Sequence, residues 1–294
     1  MGDRHVIASG KLNATIAADG AELVALATAS GDGLLWDAGP QWPRHAPVLF
    51  PIVGRLTDDT LIHDGKHYRL TQHGFARDSR FAWTERNDDR AVLELRDSEV
   101  TRALYPFPFV LRMTYAVADA TLTVTARIDN PGDTPLPCAI GAHPAFRWPL
   151  APDAAKTDHL LDFAEPETGI RYPLSEGLLG PAEPLPQQDK CWPLSPDLFA
   201  QDAIVMPRVA SRSLAYIARA ANGTERRRLT LSWAGYRDLG LWSKPGGADF
   251  LCIEPWYGTA SPAGWQGEFA DKPGLMHLGP GEAREFSWSI AVSP

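Results

Sequence analysis

Apolar and polar positions alternate with a period of two along much of this chain, and a helical period is scarce. Residues 91–96 and 109–117 read as strands, as do residues 121–128, which are rich in β-branched side chains. Ala118-Asp119-Ala120 joins the second of these to the third as a hairpin, and Asp129-Asn130-Pro131-Gly132-Asp133 is a strong turn signal behind it. Further strands are predicted over 228–233, 250–254 and 284–292. The 26 prolines and 25 glycines punctuate elements instead of filling them, which suits many strands joined by loops. The loosest stretch, 151–199, runs from Pro152 to Pro196 with six more prolines between. Because the strands on both sides share one character, it reads as a long excursion and not as a linker. The pattern predicts an all-β chain, a large single-domain antiparallel β-sandwich over residues 1–294.

Length alone would suggest two domains at roughly 150 residues each, but sandwiches grow well beyond that as one unit. A chain of 294 residues with 44% hydrophobic and 22% charged residues has ordinary globular composition and can bury a sizeable core. The net charge of −8 argues against a phosphate-backbone partner, so no nucleic acid is expected. The one basic run, Arg226-Arg227-Arg228, reads as the solvated shoulder of a hairpin. Cys138, Cys191 and Cys252 are odd in number and lack metal-type spacing, as expected of reduced thiols in a cytoplasmic protein. No apolar run is long enough to span a membrane, and residues 1–6 lack a secretory core, so no membrane partner is expected. The oligomeric state is left open.

Three short segments set ionisable residues in a frame of Gly, Pro and aromatic residues: 72–78 around His73, 141–146 around His143, and 252–258 around Glu254. A histidine exchanges protons near neutral pH without large tuning, although His143 taken alone also fits a satisfied core histidine. Glu254 ends an apolar run, where a carboxylate is costly unless paired or functional; a salt bridge explains it as well as catalysis does. Gly74 beside His73 permits close approach of backbone or ligand. Arg55 emerges after Gly54 from an apolar segment, and Asp202 leads into another; an ion pair and a solvated strand entry are their bland readings. His63 and His67 have zinc-like spacing, but Asp64-Gly65 between them signals a hairpin turn. No phosphate-cradling glycine motif and no serine-nucleophile elbow is present.

Taken in order, Gly54-Arg55, His73-Gly74-Phe75-Ala76-Arg77-Asp78, Gly141-Ala142-His143-Pro144-Ala145-Phe146, Asp202-Ala203, Leu241-Trp242-Ser243-Lys244-Pro245 and Cys252-Ile253-Glu254-Pro255-Trp256 resemble the aldose 1-epimerase (galactose mutarotase) family, in its shorter bacterial branch. The resemblance implies an isomerase, a mutarotase that interconverts the α and β anomers of a hexose without metal or organic cofactor. By motif, His143 matches the general acid and Glu254 the general base, while Arg55, His73 and Asp202 match residues that hold sugar hydroxyls. Their opposite charges would favour an ionised carboxylate and a protonated imidazole. Trp256 or Tyr257 is a candidate to pack on the sugar. Two alternatives stay open: a hexose 6-phosphate substrate, with Arg55, Arg77 and Lys244 as cations, and a non-catalytic carbohydrate-binding protein.

Overall fold

In the computed structural model, which describes residues 3–293, the strands Val110–Ala118 and Thr121–Asp129 pair antiparallel from Ala118↔Thr121 to Val110↔Asp129. Leu122, Val124, Ala126 and Ile128 are buried, while the residues between them stay at least partly exposed, as a period of two dictates. The tight turn places Asp119 at φ 49°, a left-handed conformation that short polar side chains tolerate.

This hairpin lies within a nine-stranded sheet. Its order is Cys191–Pro193, His159–Phe163, Ser213–Arg219, Glu225–Ala234, Ala283–Ser293, Thr121–Asp129, Val110–Ala118, Arg90–Arg96, Ala82–Arg86. The C-terminal strand thus sits between one strand from the middle of the chain and one from late in it. A second sheet runs Ile204–Met206, Asp238–Trp242, Phe250–Tyr257, Ile140–Ala142, Val48–Leu49, with Ala145–Arg147 also paired to Phe250–Tyr257. Inward residues of both sheets, such as Leu239, Leu241, Leu251 and Ile253 from one and Leu122, Val124 and Ile290 from the other, join in one buried cluster. The architecture is an antiparallel β-sandwich.

Two departures from the expected elements bear on the site. The strand predicted to stop at Glu254 continues through Pro255 to Tyr257. Pro255 and Pro144 both lack an N–H, and both lie along the stretch where the neighbouring strand is interrupted between Ala142 and Ala145. The proline-rich excursion is also more ordered than its composition suggests. Its strands His159–Phe163 and Cys191–Pro193 extend the large sheet, and Leu174–Ser175 pairs with Leu178–Leu179 as a hairpin turning at Glu176 and Gly177. His63 and His67 belong to the hairpin Thr60–His63/Lys66–Arg69, whose turn is Asp64-Gly65.

Trp256 is accommodated by two glycines. A Cβ on Gly141 would lie 2.6 Å from its indole, and one on Gly240 would lie 2.4 Å from it. Replacing Gly240 by alanine should therefore overpack this face and cost about 1–3 kcal/mol, read as a lower urea midpoint. An unchanged midpoint would contradict the close packing.

Candidate active site

Register brings the first two candidates together. Phe250–Tyr257 pairs with the strands flanking His143 as Gly141↔Trp256 and Ala145↔Cys252, and continuing that register across the interruption sets His143 opposite Glu254. Directly opposed residues share a sheet face, as do residues two apart on one strand. Cys252, Glu254, Trp256 and His143 therefore form one patch. His143 Nε2 lies 3.2 Å from Glu254 Oε2, with His143 8% and Glu254 1% exposed. Oε2 nevertheless has no hydrogen-bond partner, so the two groups are adjacent without being aimed at each other.

Around this pair is a cleft of about 250 Å³, walled by Trp42, His73, Arg77, Asp202, Trp242 and Trp256 among others. That is near the small end of ligand sites, which span roughly 300–1,000 Å³, and suits one small polar molecule. Trp42 stacks on the His143 ring with centroids 4.9 Å apart and planes at 26°, and Trp242 meets the same ring edge-on at 5.9 Å. The proline-rich excursion supplies Leu174 and Gly177 to the wall.

His73 stands beside the pair, its ring 5.6 Å from that of His143. The Gly54 N–H donates to His73 Nδ1 at 3.1 Å, which leaves Nε2 as the position for the proton of a neutral ring. His73 and Asp202 both hold left-handed backbone, with φ of 67° and 71°.

Electrostatics follow from burial. It pushes His143 down to about 3, with Arg77 and Arg44 adding to the effect and the residue's own main-chain carbonyl opposing it. Burial pushes Glu254 well above the usual carboxylate range; the Trp256 indole opposes this and Asp202 reinforces it. His73 is driven well below the ordinary histidine value by burial, then by His143, Arg77 and Arg44. The expected ionised carboxylate beside a protonated imidazole therefore meets a stronger desolvation cost. One proton on the pair leaves it neutral overall; two protons or none would leave a buried net charge.

Arg55 is not itself in the cleft wall but packs beside Gly177, which is. Its Nε donates to Asp59 Oδ1 at 2.7 Å and its Nη1 to the Glu176 carbonyl at 3.2 Å, so the guanidinium ties down the hairpin tip next to Gly177. The arginine in the wall is Arg77, whose Nη2 donates to the Gln72 carbonyl at 2.7 Å while its buried Nε makes no hydrogen bond but lies 3.6 Å from Asp78 Oδ2. Lys244 donates to the Gln41 carbonyl and supports the Trp42 loop. Tyr257 is also outside the wall, covered by Arg237 and Arg284 at 4.2 and 4.5 Å from its ring.

Trp42 and Trp242 were not singled out from sequence as individual residues. Trp42 does carry the signal used elsewhere, since Gly39-Pro40 and Pro43 frame it, and Trp242 sits inside a quoted motif. Of the residues around this cleft, Arg77, His143, Glu254 and Trp256 each carry a buried polar atom that makes no hydrogen bond among the described residues. Buried polar groups are almost always satisfied, so four such atoms around one cleft make it the candidate site for a polar ligand.

The sandwich is of the galactose mutarotase type, an architecture it shares with solved structures. The family model for aldose 1-epimerase matches residues 3–166, and the chain belongs to the aldose 1-epimerase family. It is similar in structure to a galactose mutarotase related enzyme from Lactobacillus acidophilus, with a TM-score of 0.92, 31% identity, and coverage of 99% of this chain and 98% of the other. A galactose mutarotase-like protein from Lactobacillus casei gives a TM-score of 0.90 at 26% identity, covering 99% of this chain and all of the other. Among curated sequences, the plasmid-borne protein LacX of Lactococcus lactis subsp. lactis is 28% identical over 290 residues, covering 93% of this chain and 94% of LacX.

Proposed function

We propose that the protein is an aldose 1-epimerase that interconverts the α and β anomers of a hexose by opening and closing its ring. The observation that carries this reading is the buried, unsatisfied His143–Glu254 pair, 3.2 Å apart, at the centre of a small polar cleft. The two oxygens exchanged in the reaction, the C1 hydroxyl and the ring oxygen, share one carbon, so they need an acid and a base side by side.

With one proton on the pair, Glu254 in its ionised form takes the C1 hydroxyl proton while protonated His143 gives one to the ring oxygen. The C1–ring oxygen bond breaks and the hydroxyl oxygen becomes the aldehyde carbonyl. This step leaves Glu254 protonated and His143 neutral, the form that burial favours. After rotation about the C1–C2 bond the ring oxygen attacks the other carbonyl face, returning its proton to His143 as Glu254 protonates the carbonyl. The pair ends as it began, so no external proton or cofactor enters the cycle. His73, Asp202 and Arg77 would hold the sugar's hydroxyls, and Trp42, Trp242 and Trp256 offer ring faces to its C–H surface. Arg55, which bonds Asp59 and the Glu176 carbonyl beside the wall residue Gly177, keeps the holding role expected of it, and Arg77 joins it there.

A second reading is favoured by one observation. Arg44 and Arg77 flank a single carboxylate, Asp78, at 2.9 and 3.6 Å, which leaves one surplus positive charge beside the cleft. An anionic aldose such as a hexose 6-phosphate would complement it. Direct competition decides between the two: a neutral-sugar enzyme keeps its glucose rate in the presence of glucose 6-phosphate, whereas preferential inhibition and turnover of the phosphate would favour the second reading.

His143→Ala and Glu254→Gln should each lower the polarimetric rate on freshly dissolved α-glucose or α-galactose by about 10²–10⁴-fold. Retention of most of the rate by either folded variant would refute its role. The pH profile offers a separate check. Because His143 is depressed, the pair keeps its single proton as the pH falls through 6.5, and the acid limb of kcat/KM should lie well below that value, toward about 3. An acid limb at the ordinary histidine value would contradict a pair governed by burial.

A further inference from the structure

Cys252 has no part in the proton transfers, yet it lies on the same sheet face two residues from Glu254 and opposite Ala145, on the His143 side of the ladder. One ligand atom each from His143, Cys252 and Glu254 falls within 4.8 Å of the other two, and all three residues are buried. A thiol, an imidazole and a carboxylate form the donor set preferred by zinc and other thiophilic divalent ions. Tetrahedral zinc, with bonds of about 2.0–2.3 Å, sets its ligand atoms roughly 3.3–3.8 Å apart. The His143–Glu254 separation of 3.2 Å is already near that spacing, and only the thiol must draw in.

A second, independent observation points to the same place. Glu254 Oε2 is buried and unpartnered although an imidazole nitrogen lies within hydrogen-bonding distance, so its lone pairs are free for a third atom. His143 and Glu254 line the cleft, which gives an ion a side from which to enter. Asp202 adds attraction nearby, while Arg77 and Arg44 oppose a cation.

We infer that His143, Cys252 and Glu254 form an inhibitory site for zinc-class divalent ions, occupied in competition with the aldose reaction. Binding displaces the thiol proton of Cys252 and the proton shared by His143 and Glu254, both released to solvent, with no change of oxidation state. The bound ion holds the acid and the base and thereby stops mutarotation. The inhibition rests on the proposed function, whereas formation of the site does not.

The test separates these two parts. A Cys191→Ala background removes the exposed thiol that would otherwise bind metal beside Asp162. Titration of that protein with cadmium chloride should produce a metal–thiolate absorption at one equivalent, and Cys252→Ala on the same background should abolish it. Zinc chloride should stop catalysed mutarotation and a chelator should restore it. Loss of an outer-shell partner already costs about 10–100-fold in metal affinity, so removing the thiol ligand should weaken zinc inhibition by at least ~100-fold while the basal rate persists. Cys252→Ser serves the same comparison if the alanine variant is unstable. Absence of the thiolate band, or equal zinc inhibition with and without Cys252, would overturn the site. A band that forms in a protein without mutarotase activity would support the site and refute the proposed function instead.

Discussion

The structure depends on burying an acid and a base together. Either His143 or Glu254 charged alone in this position would carry a desolvation penalty of several kcal/mol, and burial accordingly drives each toward its neutral form. As a pair with one proton they carry no net charge, so the site can be dry enough to strengthen electrostatic contacts while remaining stable. The same constraint governs the surroundings. Trp42 and Trp242 cover the imidazole, and Gly141 and Gly240 clear space for the Trp256 indole beside the carboxylate.

The sandwich supplies this arrangement through register. Antiparallel pairing sets residue 143 opposite residue 254, along a stretch where Pro144 and Pro255 withhold N–H groups from the ladder. Support extends outward from there. Gly54, with φ of 73°, packs so closely on Ala260 that a Cβ would fall 2.5 Å from its side chain, and its N–H orients His73. Behind Ala260, the buried Lys272 donates to the Thr259 carbonyl at 2.7 Å and fixes that loop. Burial pushes this lysine down to about 7, a cost tolerated where the loop must not drift.

Much of this was legible in the sequence for physical reasons. Period-two alternation is a local signal, and the hairpin of residues 110–129 follows it closely. His143 and Glu254 stood out because each is a titratable residue framed by glycine, proline and aromatic residues, although a satisfied core histidine and a salt bridge explained them as well until the motifs were read together. Other features were not local. Arg55 and Arg77 look alike as charges beside glycine or alanine; only the fold shows that Asp59 and Glu176 engage the first while the second faces the cleft. Trp42 reaches His143 from a loop a hundred residues away, and nothing in its own segment names that partner. The excursion at 151–199 hid its strands because each is only two to five residues long, too short for periodicity to register.

The central claim is that the protein moves protons across one sugar ring without breaking the bond between C1 and its hydroxyl oxygen. The most direct measurement follows glucose labelled with ¹⁸O at the C1 hydroxyl and ¹³C at C1, by ¹³C NMR during catalysed interconversion of its anomers. The account predicts that the anomers equilibrate faster than in buffer while ¹⁸O is lost no faster than in the uncatalysed control. Loss of label in step with interconversion would mean that C1–O1 is cleaved, and no acceleration across several aldoses would mean that the pair does not act on free sugars; either result contradicts the account.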